Sequence, residues 1–211
     1  VVLDVALVAP LDLLVEGEDE PFYLPRWPVE EVFDHVAANV ASVIRNGECL
    51  GFTVGPLYEA LAKHLVDKKH LGIHSPFFTD PLMDLVESGA VSNRRKEVFR
   101  GKSLATFALG TKELMKWLDC NPLVEFQSLE KVFSPLYLGR NQNTFCTLPA
   151  RKVDLSGTIA LHYGKGNIAA GPGEAIDFVN GAEISRGGRV CFALPSRNRK
   201  GEPNIRLSVK D

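Results

Sequence analysis

The sequence predicts an α/β fold, with a mostly parallel or mixed sheet covered by helices, and three observations carry that expectation. Short apolar runs alternate along the chain with segments of helical period, the pattern of a sheet whose faces are covered. Glycine or proline punctuates the junctions between the two kinds of segment. The chain has 211 residues, 45% of them hydrophobic and 24% charged, which is enough to enclose one full core.

Taken in order, residues 1–27 hold an apolar strand-like stretch and then "LDLLVEGEDEPFYLPRWP", where acidic residues and prolines interrupt any period. We expect the end of a preceding domain and a linker there, with the domain proper over 28–211. From Pro28, "VEEVFDHVAANVASVIRNG" sets Val29, Phe33, Val36, Val40 and Val43 on one helical face, with Gly47 at the end. Then follow "CLGFTV", the helix "PLYEALAKHLV", "LGIH", the helix "PLMDLVESG", "SLATFAL" and the helix "KELMKWLD", capped by Thr111. The runs "LVEFQ", "TFCTLPA" and "TIALHY", a glycine-rich loop, a brief helix "EAIDFVNG", and the runs "RVCFALP" and "NIRLSV" complete the chain.

A formal net charge of −2 gives no global field for nucleic acid or an anionic membrane. No aromatic–basic interleaving of a single-strand binder, no apolar run long enough to span a bilayer and no export signal is present. Cys49, Cys120, Cys146 and Cys191 are scattered among apolar neighbours without C-x-x-C spacing, so we expect buried thiols in a reducing cytoplasm. His35, His64, His70, His74 and His162 show no ligand spacing, and no metal is expected.

In parallel sheets ligands gather beyond the carboxyl ends of strands, which singles out three turns. In "GFTVGP", Gly51 and Gly55 bracket a strand end and Pro56 opens a helix, either as a tight turn or to let a ligand approach the backbone. In "LGIHSPFFTDP", His74 and Ser75 end a strand, with a structural or a catalytic role open to the histidine, and Asp80 reads as an N-cap. In "HYGKGNIAAGPGEAIDF", glycines crowd before a helix amino end, which either present N–H groups to an anion or form a plain connection.

The run from "KHLGIHSPFFTD" through "NPLVEFQSLEKVFSP", together with "VDLSGTIA" and "GPGEAIDFVNGAEISRGGRVCFALPS", resembles the carboxyl-terminal half of the acetyl-CoA hydrolase/transferase family. The resemblance covers about residues 28–208 and implies a CoA-transferase-type layered fold acting on acyl-CoA thioesters, with a carboxylate as acceptor. It implies no permanently bound cofactor, the CoA thioester being substrate, and a homodimer or a complex with a chain that supplies the amino-terminal domain. The ending "NIRLSVKD" is expected to be a truncation, since relatives continue further.

Family members place a nucleophilic glutamate in a Gly-Ile-His-Ser/Thr-Glu turn, whereas this chain reads Gly72, Ile73, His74, Ser75, Pro76. Proline offers neither nucleophile nor N–H donor. The family's Gly-x-Gly-Gly pattern matches Gly171, Pro172, Gly173, Glu174, so that a carboxylate replaces a glycine of the loop implied to hold the oxyanion. Two readings of Glu174 stand: a displaced nucleophile, or an acidic first-turn residue favoured by the helix dipole. Two function classes stand with them, a CoA-transferase or acyl-CoA hydrolase, and an inactive CoA-binding or partner subunit. Glu125 of "VEFQ" matches a family motif and is expected to support rather than react. Arg94, Arg95 and Lys96, with Arg197, Arg199 and Lys200, are expected in surface loops, either simply solvated or pairing with the adenosine phosphates of CoA.

Overall fold

Helices α2, α3, α4 and α5 each start within a few residues of a strand end, and that alternation makes the architecture. The computed structural model describes residues 22–161, 163–164, 167–168 and 173–209. After the irregular stretch 22–30 come α1 (Glu31–Val43), β1 (Cys49–Gly51), α2 (Pro56–Leu65), β2 (Gly72–Ile73), β3 (Phe77–Phe78) and α3 (Asp80–Glu87). Next are β4 (Ser103–Ala105), β5 (Phe107–Ala108), α4 (Lys112–Leu118), β6 (Val124–Phe126), α5 (Leu129–Val132), α6 (Pro135–Arg140) and β7 (Thr144–Pro149). The chain continues through β8 (Lys152–Asp154), β9 (Ile159–Ala160), the hairpin β10 (Tyr163–Gly164) and β11 (Asn167–Ile168), α7 (Ala175–Ile184), β12 (Arg189–Ala193) and β13 (Ile205–Arg206).

The main sheet has the order β12-β7-β1-β2, every pair parallel. A parallel bridge from His74 to Leu104 carries the same direction onto β4 and its parallel neighbour β6. Six strands therefore end along one edge. Alternation along β7 builds two cores: Phe145 faces the larger one with Ala37, Val40, Leu57, Leu61 and Leu82 from α1, α2 and α3, while Cys146 and Leu148 face a smaller one with Leu138 of α6 and Phe178 of α7. A small mixed sheet, β13-β8-β9, stands apart from these. The α/β expectation and its parallel-or-mixed sheet agree with this arrangement.

Several elements differ from expectation for local reasons. Helix α1 stops at Val43, which is exposed, because Ile44 turns extended and drops into the core in its place. The run "SLATFAL" is two strands: the Pro76 carbonyl accepts from both Thr106 N (3.0 Å) and Phe107 N (3.1 Å), a bulge that separates β4 from β5. Asp80 does not cap its own helix. Its Oδ2 accepts from Thr111 N (3.1 Å) and its Oδ1 from Thr111 Oγ1 (2.5 Å), which ties α3 to α4, and Thr79 holds the N-cap position. Thr111 does cap α4 as expected, accepting from Leu114 N (3.2 Å). Of the four cysteines only Cys49 and Cys146 are buried; Cys191 is half-buried and Cys120 exposed.

The expected linker 1–27 is described only from residue 22, and that part lies docked on the domain. Leu24 N donates to Gly110 O (2.9 Å). Arg26 forms a two-pronged pair with Asp84 (2.7 Å for each bond) and reaches Glu59 (3.4 Å) and Asp80 (3.9 Å), both carboxylates buried. Burial is the main force raising the Glu59 carboxyl above its ordinary range, with Arg26 acting against it. Removing Arg26 strands these carboxylates without a counter-charge, at about 3 to 5 kcal/mol for a fully buried pair. Arg26 is half-exposed and water takes over part of its role, so Arg26→Leu is expected to lower stability by about 2 kcal/mol in urea denaturation at pH 7. Adding Glu59→Gln should recover part of that loss; a double variant no more stable than Arg26→Leu would contradict this account.

Candidate functional site

The carboxyl edge of the sheet collects most of the residues singled out by the sequence. Strand β1 ends at Gly51, and beyond it Phe52 N donates to Ser75 Oγ (2.9 Å) rather than to backbone. In the neighbouring strand the amides alternate sides, His74 N donating to Leu50 O (3.0 Å) and Ser75 N to Leu104 O (3.0 Å). An amide at position 76 would turn back towards β1, which has already ended. Proline therefore sits where the ladder no longer requires a donor, and its buried ring closes the turn without an orphaned group.

Gly51 lies under α7. A Cβ built there would come 2.8 Å from Cys146 Sγ and 3.2 Å from the Phe178 ring, so the close approach of helix to sheet requires glycine. Gly55 has φ of 128°, a backbone conformation closed to other residues, with nothing within 4 Å of a Cβ. It is the N-cap of α2, followed by Pro56 in the first turn. Glu174 is the N-cap of α7 and its carbonyl accepts from Phe178 N (2.9 Å), one turn on. Glu174 thus lies about 6 Å along the helix axis from Phe178, whose ring covers Gly51. Its charge also reaches Tyr58 in the first turn of α2, whose phenol is held far above its ordinary range first by burial and then by Glu174. Tyr58 OH donates to Thr147 O (2.8 Å) at the end of β7. Gly51, Gly55 and Glu174 accordingly share one region, with His74, Ser75 and Pro76 on the next strand. Gly173, with φ of +51°, precedes Glu174, while Gly171 lies outside the described residues.

His74 is wholly buried and fully bonded. Its Nε2 lies 2.9 Å from Val132 O and its Nδ1 3.2 Å from Asn141 Nδ2. A carbonyl only accepts, so Nε2 carries the proton and Nδ1 accepts from the amide. Burial, with a smaller push from Lys96, lowers the imidazole from 6.5 to about 3, which keeps it neutral. His74 thus braces the strand end against the α5–α6 segment and faces no solvent. The structural reading of Glu125 also fits, since its oxygens accept from Lys102 Nζ (2.7 Å) and Gln127 Nε2 (2.8 Å), and the Lys102 bond leads in lowering its carboxyl.

Sequence reasoning missed Lys96. It was expected at the surface with Arg94 and Arg95, which are exposed, yet Lys96 is buried and donates to Ile73 O and Lys102 O (2.7 Å each). Its stem crosses Gly72, where a Cβ would meet Lys96 Cγ at 2.8 Å. Burial lowers the ammonium from 10.5 to about 8. Asn93 completes the work by accepting from Ile73 N (2.9 Å) and donating to Ser103 Oγ (3.0 Å). Side chains thus stand in for ladder bonds where β2 and β4 splay apart. The only sequence signal was Gly72 itself, a bare position in an otherwise apolar run. Arg197, Arg199 and Lys200 are exposed as expected, Arg199 pairing with Glu30 (2.5 Å).

Among the described residues no group of three or more His, Cys, Asp or Glu side chains could hold a metal ion, and no helix is long and apolar enough to cross a membrane.

Comparison with known proteins follows the same lines. Residues 110–211 match the profile of the acetyl-CoA hydrolase/transferase C-terminal domain. The chain is 33% identical to 4-hydroxybutyrate coenzyme A transferase of Clostridium kluyveri, over 92% of this chain and 46% of that protein. It is 31% identical to succinyl-CoA:cyclohexane-1-carboxylate CoA transferase of Geobacter metallireducens, over 92% and 44%. Among solved structures, RipA from Yersinia pestis superposes with a TM-score of 0.83 at 29% identity, over 90% of this chain and 43% of that one. A 4-hydroxybutyrate CoA-transferase from Porphyromonas gingivalis does so with a TM-score of 0.78 at 26% identity, over 89% and 45%. The chain spans less than half the length of these curated relatives.

Proposed function

This chain belongs to the acetyl-CoA hydrolase/transferase family, and from that we propose that it is the thioester-handling part of an acyl-CoA:carboxylate CoA-transferase or acyl-CoA hydrolase. The observation that carries the reading is Glu174 at the amino end of α7, one turn before Phe178, whose ring covers Gly51, and within electrostatic reach of the α2 start, at the shared carboxyl edge of parallel strands. A carboxylate ionised at neutral pH attacks the acyl-CoA carbonyl carbon, the C–S bond breaks, and CoA leaves as thiolate with an acyl-glutamyl anhydride behind it. The thiolate then attacks the glutamyl carbonyl and the acyl carboxylate departs. An acceptor carboxylate repeats the two steps in reverse and collects the CoA; water in its place gives hydrolysis. Backbone N–H groups of Gly173, Glu174 and Gly55 are the groups we assign to the oxyanion.

The substrates are an acyl-CoA and a carboxylate acceptor, with CoA passing through rather than staying bound. We assign the working form to the cytoplasm, as a homodimer or with a chain that supplies the amino-terminal domain. Full-length protein incubated with acetyl-CoA and labelled acetate should move label into the thioester. Tight acetyl-CoA binding with no label transfer and no thiol release would overturn the enzymatic reading and leave a CoA-binding subunit, the role that Pro76 favours at the turn where relatives react.

A further inference from the structure

Asn141 follows α6 and is wholly buried, and each of its polar groups is used by a different part of the molecule. Its Oδ1 accepts from Glu97 N (3.1 Å) and Val98 N (3.3 Å) in the loop that carries Lys96. Its Nδ2 donates to His74 Nδ1 (3.2 Å) at the end of β2. Its carbonyl accepts from Ser185 Oγ (2.5 Å) just past α7 and from Thr144 Oγ1 (3.1 Å) at the start of β7. Ser185 in turn accepts from Thr144 N (3.1 Å), and its amide closes α7 on Gly181 O (3.0 Å).

We propose that Asn141 is a positioning residue that locks the His74–Ser75–Pro76 turn to the helix bearing Glu174, so that the two halves of the edge site hold one relative placement. The inference rests on the proposed function for its catalytic meaning and on geometry for its mechanical one. A backbone carbonyl can fix α7 through Ser185, but only the side chain reaches His74, and the bond has a single sense. His74 Nε2 must carry the proton to donate to Val132 O, so Nδ1 needs a donor, which the Asn141 amide supplies. Both partners lie in a dry interior, where an acceptor that loses its donor is not rehydrated. Two rigid elements then transmit the placement, β2 through its ladder to β1 and α7 through Phe178 against Gly51.

The test is Asn141→Ala in the full-length protein at pH 7.5, which removes the donor to His74 and the acceptor for Glu97 and Val98 while keeping both bonds to the 141 carbonyl. Without any ligand, hydrogen exchange of residues 72–78 should accelerate at least tenfold, with 175–185 unchanged. Turnover of acetyl-CoA with labelled acetate should fall at least tenfold in kcat with KM for acetyl-CoA within threefold. Exchange of 72–78 at the parental rate would overturn the lock itself. Accelerated exchange with kcat intact would overturn its role in placing the site. A parental protein that transfers no label would sink the proposed function instead, and the ligand-free exchange measurement would still decide whether the turn is held through Asn141. Asn141→Ser, whose shorter side chain leaves a smaller cavity and does not reach His74, should behave alike and serves if Asn141→Ala does not fold.

Discussion

Glu174→Gln should reduce label exchange between acetate and acetyl-CoA by at least about a thousandfold while acetyl-CoA still binds within threefold of the parent. The amide keeps the shape of the side chain and its place at the start of α7, and it cannot attack a thioester to give an anhydride. Each tenfold loss is about 1.4 kcal/mol of barrier, so the expected effect exceeds what loss of one hydrogen bond provides. Glu125→Gln is the matched comparison. That carboxylate is held by Lys102 and Gln127, and its amide should leave exchange within a few-fold. Were Glu125→Gln to silence exchange and Glu174→Gln to spare it, the assignment would reverse. Pro76→Glu in the Glu174→Gln background then asks whether the turn still accepts the family's nucleophile. Its new amide would face the gap beyond Gly51, with the 76 carbonyl still held by Thr106 and Phe107, so partial recovery of exchange is expected.

Acidification from pH 7 to pH 5 should cost the fold about 2 kcal/mol through His74 alone. The imidazole titrates at 6.5 when unfolded and at about 3 when folded. Between those values the unfolded chain binds the proton and the folded one does not, so stability is complete above 6.5 and declines as the pH falls through the window. At pH 5 the distance travelled is about 1.5 units, at about 1.4 kcal/mol each. Glu59 opposes this, since its raised carboxyl makes the folded state the better proton binder as pH falls towards its unfolded range. The His74 contribution is therefore best read in a Glu59→Gln background, by urea denaturation at both pH values. A His74 ring resonance that titrates near 6.5 in the folded protein would refute the prediction.

Long periodic segments and single-residue signals were legible in the sequence, and long-range polar contacts were not. The apolar face of α1, the Thr111 cap and the alternation of strands with helices follow from local chemistry, and the structure keeps them. Helices α5 and α6 went unnoticed because four and six residues are too few to display a period. Asp80 was misread because its partner Thr111 is 31 residues away. Lys96 was misread because a basic run looks solvated until two carbonyls claim one member of it. At the site, the glycines stood out by composition and Glu174 by its departure from the family's glycine pattern, whereas Asn141 sits in "GRNQN", a stretch with nothing to distinguish it from a surface turn.

The interior placement of Lys96 has a chemical consequence under the thioester chemistry proposed above. An amine that titrates at about 8 is deprotonated in about a tenth of molecules at neutral pH, far more than an ordinary lysine. Free amines are the groups that activated acyl carriers modify without any enzyme. With its nitrogen turned inward onto two peptide oxygens and its stem laid over Gly72, this lysine is shielded from the reagent the domain is proposed to hold.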